Sequence, residues 1–404
     1  MNTFFLYCNK KSLSGINKFK IEKKGIKTMI ITEIKATPLI VPYKEPYYWA
    51  QGIIDGAGVL LIEIKTDTGL VGYGESISTP SPQGVLAFIN EASKFLIGEN
   101  PFHISKIMEK VYHALFQARG TCSSPRFGAQ VMAGLDMALW DILGKAYECP
   151  VNHFFGGAVR DEISYFGFPQ GKSPKEIATN AKSFAEKGHD VIYIKVGTGV
   201  KNDIEIIKAV RAAIGPDKRL RVDPNEHWGA FEMRQILPEV VDCNIECIEQ
   251  PTHCESISAL RQARNQCSIP IAADQLVFTP QDCFDVCKEE AADLIVLGLH
   301  ETGGLNKFVT CGRIAETARI NINIHGLYET GITTCAANQV ASVLPNLDDG
   351  NQFMNHFLEW DIIDNSILDL KNGKMEVLSG FGLGFEINHE NVNKAHELYL
   401  ASIL

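Results

Sequence analysis

The rhythm of apolar and polar positions changes near residue 150. Residues 29–75 read as strands. "IITEIKATPLIV" and "GVLLIEIKTDTGLVGYGES" alternate or run apolar, with Thr68-Gly69 at a turn. Residues 84–148 read as helices. "FGAQVMAGLDMALWDILGKAYECP" repeats apolar residues at three-to-four spacing until Pro150 stops it. A strand block followed by a helix block predicts an α+β unit.

After "FFGGAVRDE" short apolar segments recur: Ile163–Phe168, Val191–Val196, Leu220–Val222, Ile245–Ile248, Ile269–Ala272, Leu294–Leu297, Ile322–Ile324 and Phe357–Trp360. Helix-like stretches such as "DIEIIKAVRAAIG" and "LNKFVTCGRIAETA" separate them. Eight strands alternating with helices predict an α/β architecture, a (β/α)8 (TIM-type) barrel. A doubly wound open sheet is the alternative, but no Gly-rich dinucleotide fingerprint follows a first strand.

Composition narrows the class. Of 404 residues, 45% are hydrophobic and 21% charged, as in an ordinary globular protein. A net charge of -10 without a basic stripe argues against a nucleic-acid surface. No apolar run approaches the ~20 residues of a membrane helix. The 11 cysteines include Cys243/Cys247 and Cys283/Cys287, each four apart, which is helix spacing rather than CxxC spacing. They read as small thiols in a reducing cytoplasm. Residues 1–28 are lysine-rich and read as a disordered or mis-assigned extension, with Met29 as a candidate start.

Reactive residues of a barrel belong at strand C-termini. Lys195, Asp223, Glu249 and His325 end candidate strands, and Asp274 follows one. Asp223 to Glu249 is 26 residues and Glu249 to Asp274 is 25, one β/α unit each. Three carboxylates at one height repel unless a divalent cation lies between them. All-oxygen ligands suit Mg²⁺, with Mn²⁺ next. The plain alternative for each is a cap on the following helix. In "VIYIKVG", Lys195 is a charge in a strand otherwise made for burial, and Tyr193 shares its face. Its plain alternative is an ion pair with one of the carboxylates.

These residues, with "MAGLDMALWDILGK" (132–145), "DPN" (223–225), "ETGGL" (301–305) and "FLEWD" (357–361), resemble the enolase superfamily on its mandelate racemase and muconate lactonizing side. The resemblance implies a capping domain over residues 29–150 and a modified barrel over 151–360. Residues 361–404 would return to the cap. It implies Mg²⁺ on Asp223, Glu249 and Asp274, and removal of the proton α to a substrate carboxylate, giving an enediolate held by the metal. Lys195 would be the base, its pKa lowered by desolvation and the cation. His325 would face it as acid or second base. Glu359 matches a glutamate that hydrogen-bonds the substrate, and Asn225 would contact metal-bound water or substrate.

Two departures stand out. The family's Lys-x-Lys on the second strand is Tyr193-Ile194-Lys195 here, so Tyr193 would offer a hydroxyl to substrate or leaving group. Members with a seventh-strand histidine pair it with a sixth-strand aspartate, and that position is Gly298. The partner of His325 is therefore open. His300 and Glu301 are near in sequence but need not point the same way.

Tyr47, Tyr48 and Trp49, in a loop between strands, form a candidate lid over substrate, as do residues 76–84. Core packing between domains is the alternative. The first expectation is a Mg²⁺-dependent lyase dehydrating a hydroxy or sugar acid, because "DIEIIKAVRAAIGPDKRLRVD" looks like the sugar-acid branch. The alternatives are a racemase, epimerase or cycloisomerase, and a catalytically reduced homologue. The expected partner is a small carboxylate, in a homo-oligomer, without nucleic acid or membrane.

Overall fold

The computed structural model describes residues 29–116 and 125–403. The expectations for residues 1–28 lie outside the described residues. Three antiparallel strands come first: β1 (Ile31–Trp49), β2 (Gly52–Thr66) and β3 (Val71–Ile77), in that order across the sheet. Helices α1 (Pro82–Ser93), α2 (Ile104–Phe116) and α3 (Pro125–Tyr147) follow. The apolar run of β2 serves two cores. Leu60, Ile62 and Ile64 face the helices of this unit, while Val59 and Leu61 face the second unit. That two-sided burial is why the stretch runs apolar instead of alternating.

The region expected as a loop at residues 42–58 is instead a hairpin. Tyr47 pairs with Ile54 and Trp49 with Gly52, across a bulge after Pro42. The strand period then puts Tyr47 and Trp49 on one face and Tyr48 on the other.

The chain continues through β4 (Glu162–Ser164), α4 (Pro174–Glu186), β5 (Val191–Lys195), α5 (Val200–Ile214), β6 (Arg219–Asp223) and α6 (Ala230–Ile236). Next come β7 (Ile245–Glu249), α7 (Ile257–Gln266), β8 (Ile271–Ala273), α8 (Pro280–Lys288) and β9 (Leu294–Leu297). A short turn α9 (Leu299–Thr302) leads to α10 (Leu305–Thr317), β10 (Asn321–Ile324) and α11 (Gly331–Ala341). Strands β5 to β10 form one parallel sheet in sequence order. Gly167 bridges to Ile192, Tyr165 to Asn351 and Leu347 to Ile322, all in parallel. These bridges close the ring through residues 163–168 and 347–352, giving the modified (β/α)8 barrel.

The eighth stave is thus residues 347–352, and not Phe357–Trp360. Residues Asn355–Phe357 form a 3-10 turn, and Leu358 bridges instead to Tyr43 of β1. Cys243 and Cys247 straddle another 3-10 turn and β7, so their spacing of four is not helical. After β11 (Lys374–Glu376), helix α12 (His389–Ser402) lies against β1, where His396 Nδ1 is 2.9 Å from the Pro38 carbonyl. Among the described residues no helix is long and apolar enough to cross a membrane.

Buried carboxylates dock the first unit onto the barrel. Asp136 of α3 accepts from the Leu305 N–H at 2.7 Å, at the start of α10. A Cβ at Gly304 would stand 2.4 Å from its Oδ2, so only glycine leaves room. The "MAGLDMALW" and "ETGGL" stretches therefore meet at this hydrogen bond. Glu75 of β3 accepts from the N–H groups of Thr330 and Thr333 at the start of α11. These are helix N-termini satisfied by acids from another unit.

Candidate functional site

The parallel register assembles the acids. Lys195 pairs with Asp223 across β5 and β6, and Val222 with Ile248, which sets Glu249 beside Asp223. Asp274 stands one residue beyond β8. All three carboxylates are buried. The Tyr193 hydroxyl lies between two of them, 2.5 Å from Asp223 Oδ2 and 2.8 Å from Glu249 Oε1. Lys195 Nζ donates to the Tyr193 oxygen at 3.1 Å and forms an ion pair with Asp223. Burial, then Asp223 and Asp274, holds the Glu249 carboxyl well above the usual range. Burial alone would lower the Lys195 pKa, but Asp223, Tyr47 and Glu249 outweigh it and the ammonium is held above its ordinary value. The lowering expected from sequence rests on desolvation and a bound cation, and of these burial acts in that direction here.

Tyr193 is walled in. Its ring stacks on Phe166 at 4.3 Å and 4°, and meets Phe168 edge-on at 5.0 Å. It does not line the cavity described below, so the expected contact with a leaving group is not supported.

Across the barrel mouth, the His325 N–H donates to the Leu297 carbonyl, seating the histidine beside Gly298. His325 Nδ1 is 3.0 Å from Asp274 Oδ1 and 3.2 Å from Glu301 Oε1, close enough for ion pairing but not aligned for a hydrogen bond. Burial opposes the imidazolium, yet Asp274 and Glu301 hold its pKa well above 6.5. Burial would raise the Glu301 carboxyl, but His325 and His300 hold it below its ordinary value. The partner left open by Gly298 is thus Glu301. One turn of α9 swings its carboxylate over residue 298, where a Cβ would come within 1.7 Å of Oε2. Gly298 and Glu301 are one arrangement: the missing side chain makes room for an acid supplied three residues later. The signal was present in "GLHE", but its orientation depends on the helical turn.

Lys195, Asn225, Asp274, Glu301 and His325 line one cavity of about 840 Å³. Tyr47, Trp49, Ile77, Phe127, Phe278 and Met354 make much of its apolar wall. Thr79 and Pro80, from the second expected lid, also reach it. Asp223 and Glu249 lie below its surface. Of the three expected lid residues, Tyr47 and Trp49 face this cavity and Tyr48 does not; the Tyr48 N–H donates to Gln170 Oε1 at 2.8 Å. Glu359 is exposed, its N–H held by the Pro42 carbonyl, and it does not line this cavity. The buried acid of "FLEWD" is Asp361, which accepts from the Gly331 N–H at the start of α11. His300, named from sequence only as a neighbour of Gly298, also lines the cavity; burial lowers its pKa to about 4, so it is neutral.

The carboxylates suit a hard divalent cation in chemistry. They are all-oxygen donors, and Asp274 Oδ2 is buried without a hydrogen-bond partner. Asn225 Oδ1 is orphaned in the same way. The acids are spread rather than closed. Among the described residues, three ligand atoms within 4.8 Å of one another occur together only at Glu226, His253 and Cys254, on the rim. Ligation at Asp223 would ask it to exchange its Lys195 contact for the ion.

Comparisons agree with this geometry. Residues 31–156 match the "Mandelate racemase / muconate lactonizing enzyme, N-terminal domain" family, and residues 176–392 match "Enolase C-terminal domain-like". A hydrophobic dipeptide epimerase of Enterococcus faecalis is 30% identical over 330 residues, spanning 79% of this chain and 89% of that protein. A D-galactarolactone cycloisomerase of Agrobacterium fabrum is 28% identical, spanning 90% and 97%. The crystal structure of an N-succinyl Arg/Lys racemase from Bacillus cereus superposes with a TM-score of 0.84 at 26% identity, covering 91% and 98%. That of an Enterococcus faecalis dipeptide epimerase, complexed with Mg and the dipeptide L-Leu-L-Tyr, gives 0.81 at 28% identity, covering 88% and 99%. With both halves of the chain matched, the protein belongs to the enolase superfamily, in its mandelate racemase/muconate lactonizing group.

Proposed function

We propose that the protein is an isomerase that inverts the α-carbon of a small carboxylate, removing its proton on one face and returning it on the other. Two supplied groups carry this reading: Lys195 on the second stave of the ring and His325 on the seventh, both lining one cavity. Transfer across a carbon needs two tuned groups, and the absence of an aspartate at 298 counted against it. Glu301 beside His325 removes that objection.

The chain's own residues divide the work. Asp223, Glu249 and Asp274 would hold Mg²⁺, as the related dipeptide epimerase complex with Mg supports. The bound cation would stabilise the second negative charge that develops on the substrate carboxylate. Lys195 takes the α-proton from one side once it is neutral. Protonated His325, held by Glu301, delivers a proton from the other. Tyr47 and Trp49 cover the cavity and exclude water.

The dehydration expected from sequence is set aside. The relatives described above are named as epimerases, a racemase and a cycloisomerase, and a lyase of the sugar-acid branch has no support among them. Their activities also weigh against a catalytically reduced homologue. The test uses D2O, Mg²⁺ and candidate dipeptides, N-acylamino acids and sugar lactones. Deuterium at the α-carbon of an inverted product, with no loss of mass, is expected. A 2-keto-3-deoxy product formed with loss of water would instead restore dehydration, and one formed from a lactone without loss of mass would indicate ring opening. Mg²⁺ should also raise the unfolding temperature by several degrees at saturation, and Asp223→Asn should abolish that rise.

A further inference from the structure

The loops that follow Asp223 and Glu249 carry a second, softer set of donors. Glu226 comes after β6, and His253 and Cys254 come after β7. One ligand atom from each lies within 4.8 Å of the others. A tetrahedral zinc ion, bound at about 2.0–2.3 Å, sets its donors about 3.5 Å apart, so closure asks for about 1 Å of movement.

The backbone holds this arrangement. The Glu226 N–H donates to the Gln250 carbonyl at 2.8 Å, and the Trp228 N–H to the Pro251 carbonyl at 2.9 Å. The Cys254 N–H donates to Glu226 Oε1 at 2.6 Å, which fixes the carboxylate beside the cysteine and leaves its other lone pairs for a metal. Asn225 and Glu226 are both left-handed, at φ 42° and 70°, and so is Gln250 at 32°. Three non-glycine residues in that region are costly, and the bonds between the two loops hold them there. The Glu255 N–H meets His253 Nδ1 at 3.3 Å, a long contact that yields when either ring nitrogen takes a metal.

The donor chemistry separates this cluster from the acids. Asp223, Glu249 and Asp274 offer oxygen alone and suit Mg²⁺, whereas carboxylate, imidazole and thiolate together suit Zn²⁺. Three protein ligands leave a fourth position open to water or another group. Glu226, Thr252 and His253 line a cavity of about 500 Å³ between α6 and α7, and the Thr252 hydroxyl there is buried without a hydrogen-bond partner. A metal-bound water would supply one. Glu226 also lines the larger cavity at Lys195, so it is a wall common to both.

We infer that Glu226, His253 and Cys254 bind a thiophilic divalent cation of the Zn²⁺ type, separate from Mg²⁺ at the acids, and that this ion clamps the loops after β6 and β7 to each other. Binding releases the Cys254 thiol proton to solvent. The site does not depend on which reaction the larger cavity performs.

Co²⁺ is the probe, because its thiolate charge-transfer band and tetrahedral d–d bands report the ligand set. After chelator treatment and reloading with saturating Mg²⁺, the reduced full chain should show both on adding Co²⁺, and Zn²⁺ should bleach them. Cys254→Ser should remove the charge-transfer band. His253→Ala, at an exposed position, should weaken Co²⁺ binding by about tenfold or more. Asp223→Asn, which disables the acids, should leave the bands intact. No charge-transfer band in the unaltered protein, or one that survives Cys254→Ser, overturns the inference. Unchanged affinity in His253→Ala does the same, and a band lost in folded Asp223→Asn would place the ion among the acids instead.

Discussion

The two sides of the barrel mouth reach similar electrostatics by different routes. Around Lys195 the neighbours come from strand register: Asp223 pairs with it directly, and Tyr193 shares its face two residues earlier. Around His325 the acid comes from a helical turn, with Glu301 folded over Gly298. The Lys195 side is buried beside packed aromatic rings. The His325 side hangs on one short turn and one glycine. An acid can be supplied to a catalytic group by strand pairing or by helical phase, and only the first leaves a regular spacing in the chain.

The largest expected effect removes one side entirely. Lys195→Ala should slow α-proton exchange by about 10³-fold, within the usual range for losing a general base. Full exchange by NMR in D2O would remove Lys195 from the mechanism. Next is the dyad. Glu301→Gln should slow turnover by about 10²-fold, and unequally. The enantiomer whose proton faces Lys195 should still exchange, while its mirror image should not. Gly298→Ala should mimic this, because its Cβ and the Glu301 carboxylate cannot coexist. Equal losses for both enantiomers would show that Glu301 does not act through His325.

A smaller effect is expected at Tyr193. Its hydroxyl orients Asp223 and Glu249, so Tyr193→Phe should weaken Mg²⁺ binding by about tenfold, as loss of an outer hydrogen bond to a ligand commonly does. Calorimetric titration of Mg²⁺ measures it, and unchanged affinity would leave the tyrosine as packing only. The smallest is Glu359→Gln, which should change turnover by less than about twofold because the side chain is exposed and outside the cavity. A large loss would return Glu359 to the site and place the substrate elsewhere.

Errors in the sequence reading share a physical cause. Tyr47, Tyr48 and Trp49 were grouped as one lid because the stretch was read as a loop; as a paired strand, one residue decides which face a ring occupies. Glu359 was named on the resemblance of "FLEWD", a stretch read as a stave. Once that stretch becomes a 3-10 turn bridging to β1, its phase changes, and the buried acid caps α11.

The chain by itself determined the β/α alternation, the position of Lys195 and His325 at strand ends, and the acid series at one-unit intervals. Those features are local or periodic, and parallel staves convert equal spacing into equal height. Tertiary structure alone decided which acid serves His325, which tyrosine faces the cavity, and where the ring closes. Each of these depends on groups far apart in sequence meeting at a particular turn phase or strand register. Hydrophobic patterning constrains faces, but not the last few ångströms of a side chain's reach.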